Sequence, residues 1–298
     1  MKLTKLAVFI ALLCLTVVSF AKENDRRGWQ LDLKRLALNV TSTSVHHATD
    51  YSTFPDARLT ADNQTTLQGA FDFRADNFGK HYLWSNGILA EYGKNTIEPA
   101  NGSPRVTTES VDRIIADTSY TLRLWNVQDF MGGFEAGPYL LAAYETEFNS
   151  TDNAPLKKVL RGEGGFKLFE GKYIKALYVS ALFEEDFTYP QHSAKVGWTA
   201  GFEINAPIRE GVKATFKGIW RDYLHESVKQ INSDLDYSLE LDARMEVLVW
   251  KNLSVAPFIN YFTAQAKYGG RPRGQNVYVG VSFSFSKLFK EAKPLIEE

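Results

Sequence analysis

The stretch from Asp234 to Val249 reads D-L-D-Y-S-L-E-L-D-A-R-M-E-V-L-V, and it restricts the fold more than any other part of the chain. Every odd position from Leu235 to Val249 is apolar or aromatic. The even positions Asp234, Asp236, Ser238, Glu240, Asp242, Arg244 and Glu246 are polar or charged, with Leu248 the one exception. At 180° per residue this gives one greasy face and one charged face, a β-strand; at 100° per residue the charges would scatter around a helix. A half-buried strand in a soluble sheet needs only about 5–6 residues. Sustained alternation with charge at most inward positions instead suits lipid on one side and a wet or ion-paired lumen on the other. That is the pattern of a transmembrane β-barrel.

The N-terminus agrees with export. Lys2 and Lys5 form a basic region, Leu6 to Val18 is an apolar run of signal-peptide length, and Ser19-Phe20-Ala21 supplies small residues for cleavage before Lys22. The run is short for a membrane helix and is followed at once by charge. The lone Cys14 lies within it, preceded by Leu13 rather than a small residue, so the mature chain is expected to have neither disulfides nor a lipid anchor. Residues 1–21 are therefore read as a cleaved signal peptide and 22–298 as one barrel domain with a short charged C-terminal tail. Losing Lys2 and Lys5 takes the formal charge from −1 to about −3, which argues against nucleic acid as a partner. Mean hydropathy of −0.25 does not separate a barrel from a soluble protein, because only every second strand residue is apolar.

About twelve strand-like segments follow, from 28–46 to 275–288, with no linker dividing them. Their connections alternate in length. Short turns fall at Asn77–Lys80, Asn126–Asp129, Glu170–Lys172, Pro207–Gly211 and Trp250–Asn252. Longer polar connections fall at His47–Asn63, Asn95–Val106, Asn149–Lys157, Thr188–Ser193, His225–Ser233 and Tyr268–Gly274. Short turns on one rim and long loops on the other fit an all-β, up-and-down antiparallel transmembrane barrel with both ends on the short-turn side. A soluble sandwich has no reason to sort its loops this way, although a soluble periplasmic β protein remains the fold-level alternative. Aromatics near the short turns (Phe78, Tyr82, Trp125, Phe130, Phe169, Tyr173, Trp250) and near the long loops (Tyr92, Tyr144, Phe148, Tyr189, Tyr223) suggest two interfacial girdles. Pro138 and Pro257 fall inside expected strands, where proline removes a ladder bond.

At the last strand, Tyr278-Val279-Gly280-Val281-Ser282-Phe283-Ser284-Phe285 resembles the C-terminal assembly signal of Gram-negative outer-membrane barrels, carried by Tyr278, Gly280, Phe283 and Phe285. Such signals usually end the chain, whereas here Ser286 to Glu298 follow. The resemblance implies an outer-membrane location, a lipid bilayer as surroundings and the barrel-assembly machinery as a partner. As a whole the chain is most similar to barrel families of unassigned function, including the salt-induced outer-membrane proteins.

Inward positions carry both signs. The candidate lumen residues are Asp72, Arg74, Arg113, Asp117, Arg123, Glu135, Glu163, Lys167, Glu203, Lys213, Lys217, Arg221, Asp236, Glu240, Asp242, Arg244 and Glu246, with Glu91, Glu145 and Arg161 in the same pattern. Two arrangements are open: the charges line an aqueous pore for ions or small solutes, or they pair across the lumen and close it. The first makes the chain a narrow channel, the second a structural or surface-interaction barrel. A third reading is hydrolysis, because outer-membrane phospholipases also resemble twelve-stranded barrels. Their motif has His two residues before Ser-Asn-Gly; here Ser85-Asn86-Gly87 is present but position 83 is Leu, and His81 lies about 13 Å from Ser85 along a strand. His46, His47, His192 and His225 fall at long-loop ends near carboxylates, where solvated loop residues are the simpler reading than a metal site. No Walker loop, dinucleotide fingerprint or HExxH occurs, so neither cofactor nor metal is expected.

Overall fold

A computed structural model describes residues 26–61, 64–97, 106–128, 130–150 and 154–294; the expected signal peptide, with Cys14, lies outside them. The strands are β1 (Arg26–His46), β2 (Gln64–Phe78), β3 (Tyr82–Ile97), β4 (Val106–Leu122), β5 (Trp125–Val127), β6 (Phe134–Thr146) and β7 (Lys158–Phe169). They continue with β8 (Ile174–Asp186), β9 (Ser193–Arg209), β10 (Val212–Glu226), β11 (Leu235–Trp250), β12 (Leu253–Ala266), β13 (Gly274–Lys290) and β14 (Lys293–Pro294). From β1 to β13 successive staves pair antiparallel, and β13 pairs with β1, which closes the sheet on itself. β4 and β5 form one stave: only Arg123 and Leu124 separate them, and both pair with β6. The result is a closed, twelve-stave, antiparallel barrel with β14 as an extra strand on Arg26 and Arg27 of β1.

The burial pattern is inverted relative to a soluble protein. At the closing seam Leu36, Leu38 and Val40 lie opposite Phe285, Phe283 and Val281. Leu38 and Phe283 are 49% and 53% exposed, while Asn39 and Ser282 between them are buried at 5% and 0%. An apolar exterior around a polar interior is stable only where the exterior meets hydrocarbon. Closure also leaves no unpaired strand edge in the lipid.

Pro138 and Pro257 both sit where the ladder has a gap. Pro138 pairs with Phe166 on one side, while on the other the bridges to the β4–β5 stave stop at Tyr139 and resume at Ala136. Pro257 pairs with Val281, while the β11 bridges pass from Phe258 to Val255. A residue without an N–H loses nothing at such a gap.

Several expectations are revised. Ser286 to Lys290, read as the start of the tail, extend β13, and Lys287 and Leu288 pair with Leu33 and Asp32. The stave expected to run to 125 breaks at Arg123 and continues through Val127, and the next strand starts at Phe134 rather than 130. Of the aromatics assigned to the girdles, Phe78 and Phe169 are buried with Leu83 and Ala292 inside the short-turn mouth. Tyr223 also points inward, its hydroxyl donating to Glu184. The connection after β1, expected as a polar surface loop, folds into the barrel.

Candidate functional site

That connection explains itself residue by residue. Tyr51, Phe54 and Leu59 are apolar side chains in a stretch otherwise suited to solvent, and they bury completely against Phe262, Ala264 and Ala266 of β12. Full burial of such side chains stabilises by about 1.5–3 kcal/mol each. The Tyr51 hydroxyl donates to the Pro272 carbonyl at 2.9 Å and accepts from the Ala266 N–H at 3.1 Å. Asp56 caps a single helical turn, α1 (Ala57–Thr60), by accepting from the Arg58 N–H at 3.1 Å. Asn276 on β13 donates to the Arg58 carbonyl at 2.6 Å. The loop is thus fixed on the β12–β13 side by apolar contact and backbone hydrogen bonds.

Two of its charged residues, Asp56 and Arg58, reach the other way. Arg58 pairs with Glu240 on β11 at 2.8 Å and with Asp56 at 2.7 Å. From Glu240 the pairing continues to Arg113 at 3.0 Å, then to Glu91 at 2.7 Å and Arg35 at 2.8 Å. From Asp56 it runs to Lys157 at 3.3 Å, Glu145 at 2.7 Å, Arg161 at 3.2 Å and Glu184 at 2.9 Å. Ten side chains therefore alternate in sign without a break, from β1 through β3, β4 and β11, through the loop, to β6, β7 and β8. The order matters because each charge between the two ends, Arg35 and Glu184, has opposite charge on both sides, which offsets its desolvation. Burial works to raise the Asp56 carboxyl, but Arg58 and Lys157 hold it well below the usual carboxylate range. Burial likewise works to lower the Lys157 ammonium, and Glu145 and Asp56 hold it above its ordinary value. Nearby Glu147 lacks such a partner: burial pushes its carboxyl up to about 8, against the Lys157 N–H that it accepts at 2.9 Å.

Between the loop and the β7–β10 wall remains a cavity of about 50 Å³ lined by Phe54, Lys157, Arg161, Glu184, Lys195 and Tyr223, among others. On the far side of the ion-pair chain the lumen is wet. Lys217 and Lys213 side chains are 44% and 52% exposed there, although paired with Glu203 and Glu246.

The remaining sequence candidates distribute as follows. Arg113 and Glu240 lie in the chain. Arg74 pairs with Asp117 at 2.7 Å, the guanidinium lying across Gly87, where any side chain would collide with it. Asp72 is next to this pair and acts on Arg74 electrostatically. Arg123 makes a two-pronged contact with Glu135 at 2.5 and 2.6 Å at the short-turn end. Glu163 accepts from hydroxyls of Tyr139 and Ser180. Arg244 stacks on Phe258 at 4.9 Å, and Asp242 faces Arg244 and Lys217 without an ion pair among the described residues. Asp236 sits at a register shift near the long-loop end of β11 and is exposed. Lys167 and Arg221 face inward without an ion pair among the described residues. In the proposed assembly signal, Tyr278 points inward and donates to the Ser110 carbonyl, while Phe283 faces outward.

Sequence reasoning missed the role of Arg58, Asp56 and Lys157. The available signal was the triplet Tyr51, Phe54 and Leu59 in a supposedly solvated connection.

The hydrolase motif does not assemble. Ser85 donates to Asp76, which lies opposite on β2, and Leu83 is buried in the short-turn mouth. Asn86 faces the exterior side, accepting from Thr118 at 2.9 Å. Among the described residues no three His, Cys, Asp or Glu side chains come together as a metal site; His47 meets only Asp50, at 3.4 Å.

A closed antiparallel barrel with an apolar exterior, a charged interior and a loop folded into its lumen is an outer-membrane-type β-barrel. By sequence the chain matches no protein-family model and no curated protein. Solved structures that it resembles include outer membrane phospholipase A from Escherichia coli, with a TM-score of 0.46 and 10% identity over 85% of this chain and 98% of that one. The NanC porin matches with a TM-score of 0.40 and 8% identity over 83% and 98%. An outer membrane channel from Pseudomonas putida F1 gives 0.40 and 7% over 90% and 100%. At such identities none of these proteins passes its activity to this chain.

Proposed function

We propose that the protein is an outer-membrane barrel that forms a narrow path for ions or small solutes, shut at rest by the loop at residues 47–61. The observation that carries this reading is the ion-pair chain whose middle links, Arg58 and Asp56, belong to a connecting loop rather than to the wall. Were the lumen meant only to be filled, wall residues would suffice, as they do in small filled barrels. Here the wall alone leaves a wet vestibule, and the loop closes it. An outer-membrane address, export through the signal at 1–21 and insertion by the barrel-assembly machinery belong to the same proposal.

The test is planar-bilayer conductance of refolded residues 22–298 beside a variant whose residues 48–60 are replaced by a Gly-Ser linker. Rare or no steps for the native chain and discrete steps for the variant are expected. A folded linker variant without conductance would leave a structural or surface-interaction barrel. Equal conductance of both proteins would remove the loop's role as a plug.

A further inference from the structure

Most lumen charges belong to a pair, but the β7–β10 wall carries donors that do not. Lys167 makes no hydrogen bond or ion pair among the described residues, and its ammonium stands 5.9 Å from the centre of the Tyr139 ring. Arg221 has a buried Nε without a partner and, among the described residues, no carboxylate within ion-pair distance. The Tyr178 hydroxyl likewise has no hydrogen-bond partner among them.

Register brings the three together. Lys167 on β7 lies directly opposite Tyr178 on β8. Tyr178 lies opposite Gly201 on β9, and its ring lies across that glycine, where any side chain would collide with it. The hydroxyl is thereby carried toward β10. There Arg221, opposite Thr199, stands one lumen-facing position from Ile219, the partner of Gly201. Tyr178 and Arg221 are close enough to act on one another electrostatically.

The carboxylates of this wall are already engaged. Glu163 accepts from the hydroxyls of Tyr139 at 3.2 Å, Ser180 at 3.0 Å and Thr199 at 3.4 Å. Glu203 is held by Lys217 at 3.3 Å. What remains is an ammonium on β7, a phenol on β8 and a guanidinium on β10, all donors and, among the described residues, none with a hydrogen-bond acceptor. Of the three, the Arg221 Nε is the fully buried donor without a partner, and the cost of such a donor falls when an acceptor is supplied. Water reaches the region, because Lys217 beside it is 44% exposed.

We infer that Lys167, Tyr178 and Arg221 form a binding site for a small anion, a halide or a carboxylate, at the base of the vestibule, and that this site sets anion preference along the path. Only its consequence for permeation rests on the channel reading above; the binding site stands without it.

Two measurements test the inference. Crystals of the detergent-purified native protein soaked in sodium bromide should show an anomalous peak between Lys167 and Arg221. The peak should disappear in Arg221→Gln crystals soaked identically. No peak, or a peak kept in either Arg221→Gln or Lys167→Gln, overturns the site, a peak kept in both marking an adventitious ion only. Separately, the linker variant of residues 48–60 should show anion preference as the reversal potential in a potassium chloride gradient. Arg221→Gln should lower the anion-to-cation permeability ratio about fivefold, the effect of one unit charge at ~4 Å in water. An unchanged ratio overturns the selectivity role while the channel reading stands. A linker variant that does not conduct overturns the channel reading, and the bromide result then decides the site alone.

Discussion

Replacing Glu240 by Gln removes one charge from the middle of the ion-pair chain and leaves every apolar contact in place. Glu240 accepts from Arg113 through both oxygens at 3.0 Å, from Arg58 at 2.8 Å and from Asn260 at 3.3 Å. A glutamine offers one carbonyl oxygen and turns an amide N–H₂ toward a guanidinium. Hydrogen bonds to charged groups contribute about 1.5–3 kcal/mol each, and breaking a buried pair costs about 3–5 kcal/mol. Both arginines keep a second partner, Glu91 for Arg113 and Asp56 for Arg58, which places the expected loss near the lower end, about 3 kcal/mol. Urea unfolding of the refolded mature chain in detergent, followed by tryptophan fluorescence, measures it. Asn260→Leu is the control: it removes only the longest contact, the one from an uncharged donor, and should cost about 1.5 kcal/mol. If Glu240→Gln shifts stability by no more than Asn260→Leu, the alternating chain does not hold the lumen closed and the argument built on it fails.

Two further outcomes follow from the burial pattern. An ordinary glutamate releases its proton near 4.5, whereas buried Glu147 holds its proton to about 8, facing Lys157, Asp56 and Asp112. The folded state thus binds the extra proton between those values, and stability falls as pH rises from about 4.5 to 8. The Tm of Glu147→Gln should gain on that of the native chain across this window; a difference independent of pH rejects the assignment. Leu38→Arg on the lipid face should cost about 2–4 kcal/mol if Leu38 lies near the bilayer midplane. It should slow refolding into vesicles, and refolding at native yield and stability would show that this face does not meet hydrocarbon.

The barrel was legible in the sequence because its rule is local: a two-residue period, written plainly in Asp234–Val249 and Val277–Phe285, depends on nothing elsewhere in the chain. The sorting of connections by length carried the topology for the same reason. The plug was not legible in this way. Asp56 and Arg58 meet Lys157 and Glu240 only after the sheet has closed, and no spacing along the chain encodes a contact across a lumen. Inward charge could be read from alternation, but pairing could not. Arg113 and Lys167 look alike as cations on inward positions, yet one is held by two carboxylates and the other, among the described residues, is in no ion pair. The prolines show the converse. Each appeared to weaken a strand, and each falls where neighbouring strands leave the ladder open.

The ion-pair chain also has an electrical consequence. Its two loop members, Arg58 and Asp56, carry opposite charge. Without them the wall is left with Arg35, Glu91, Arg113 and Glu240 on one side and Lys157, Glu145, Arg161 and Glu184 on the other, each set summing to zero. A potential of 100 mV does about 2.3 kcal/mol of work on each net charge that crosses it. It does almost none on a neutral pair moving together, and exposes no unbalanced charge behind it. The lumen-bound part of such a plug would be nearly blind to membrane voltage, the loop's one unbalanced charge being solvent-exposed Asp50 beside His47, and its release would answer to salt, protons or a bound molecule.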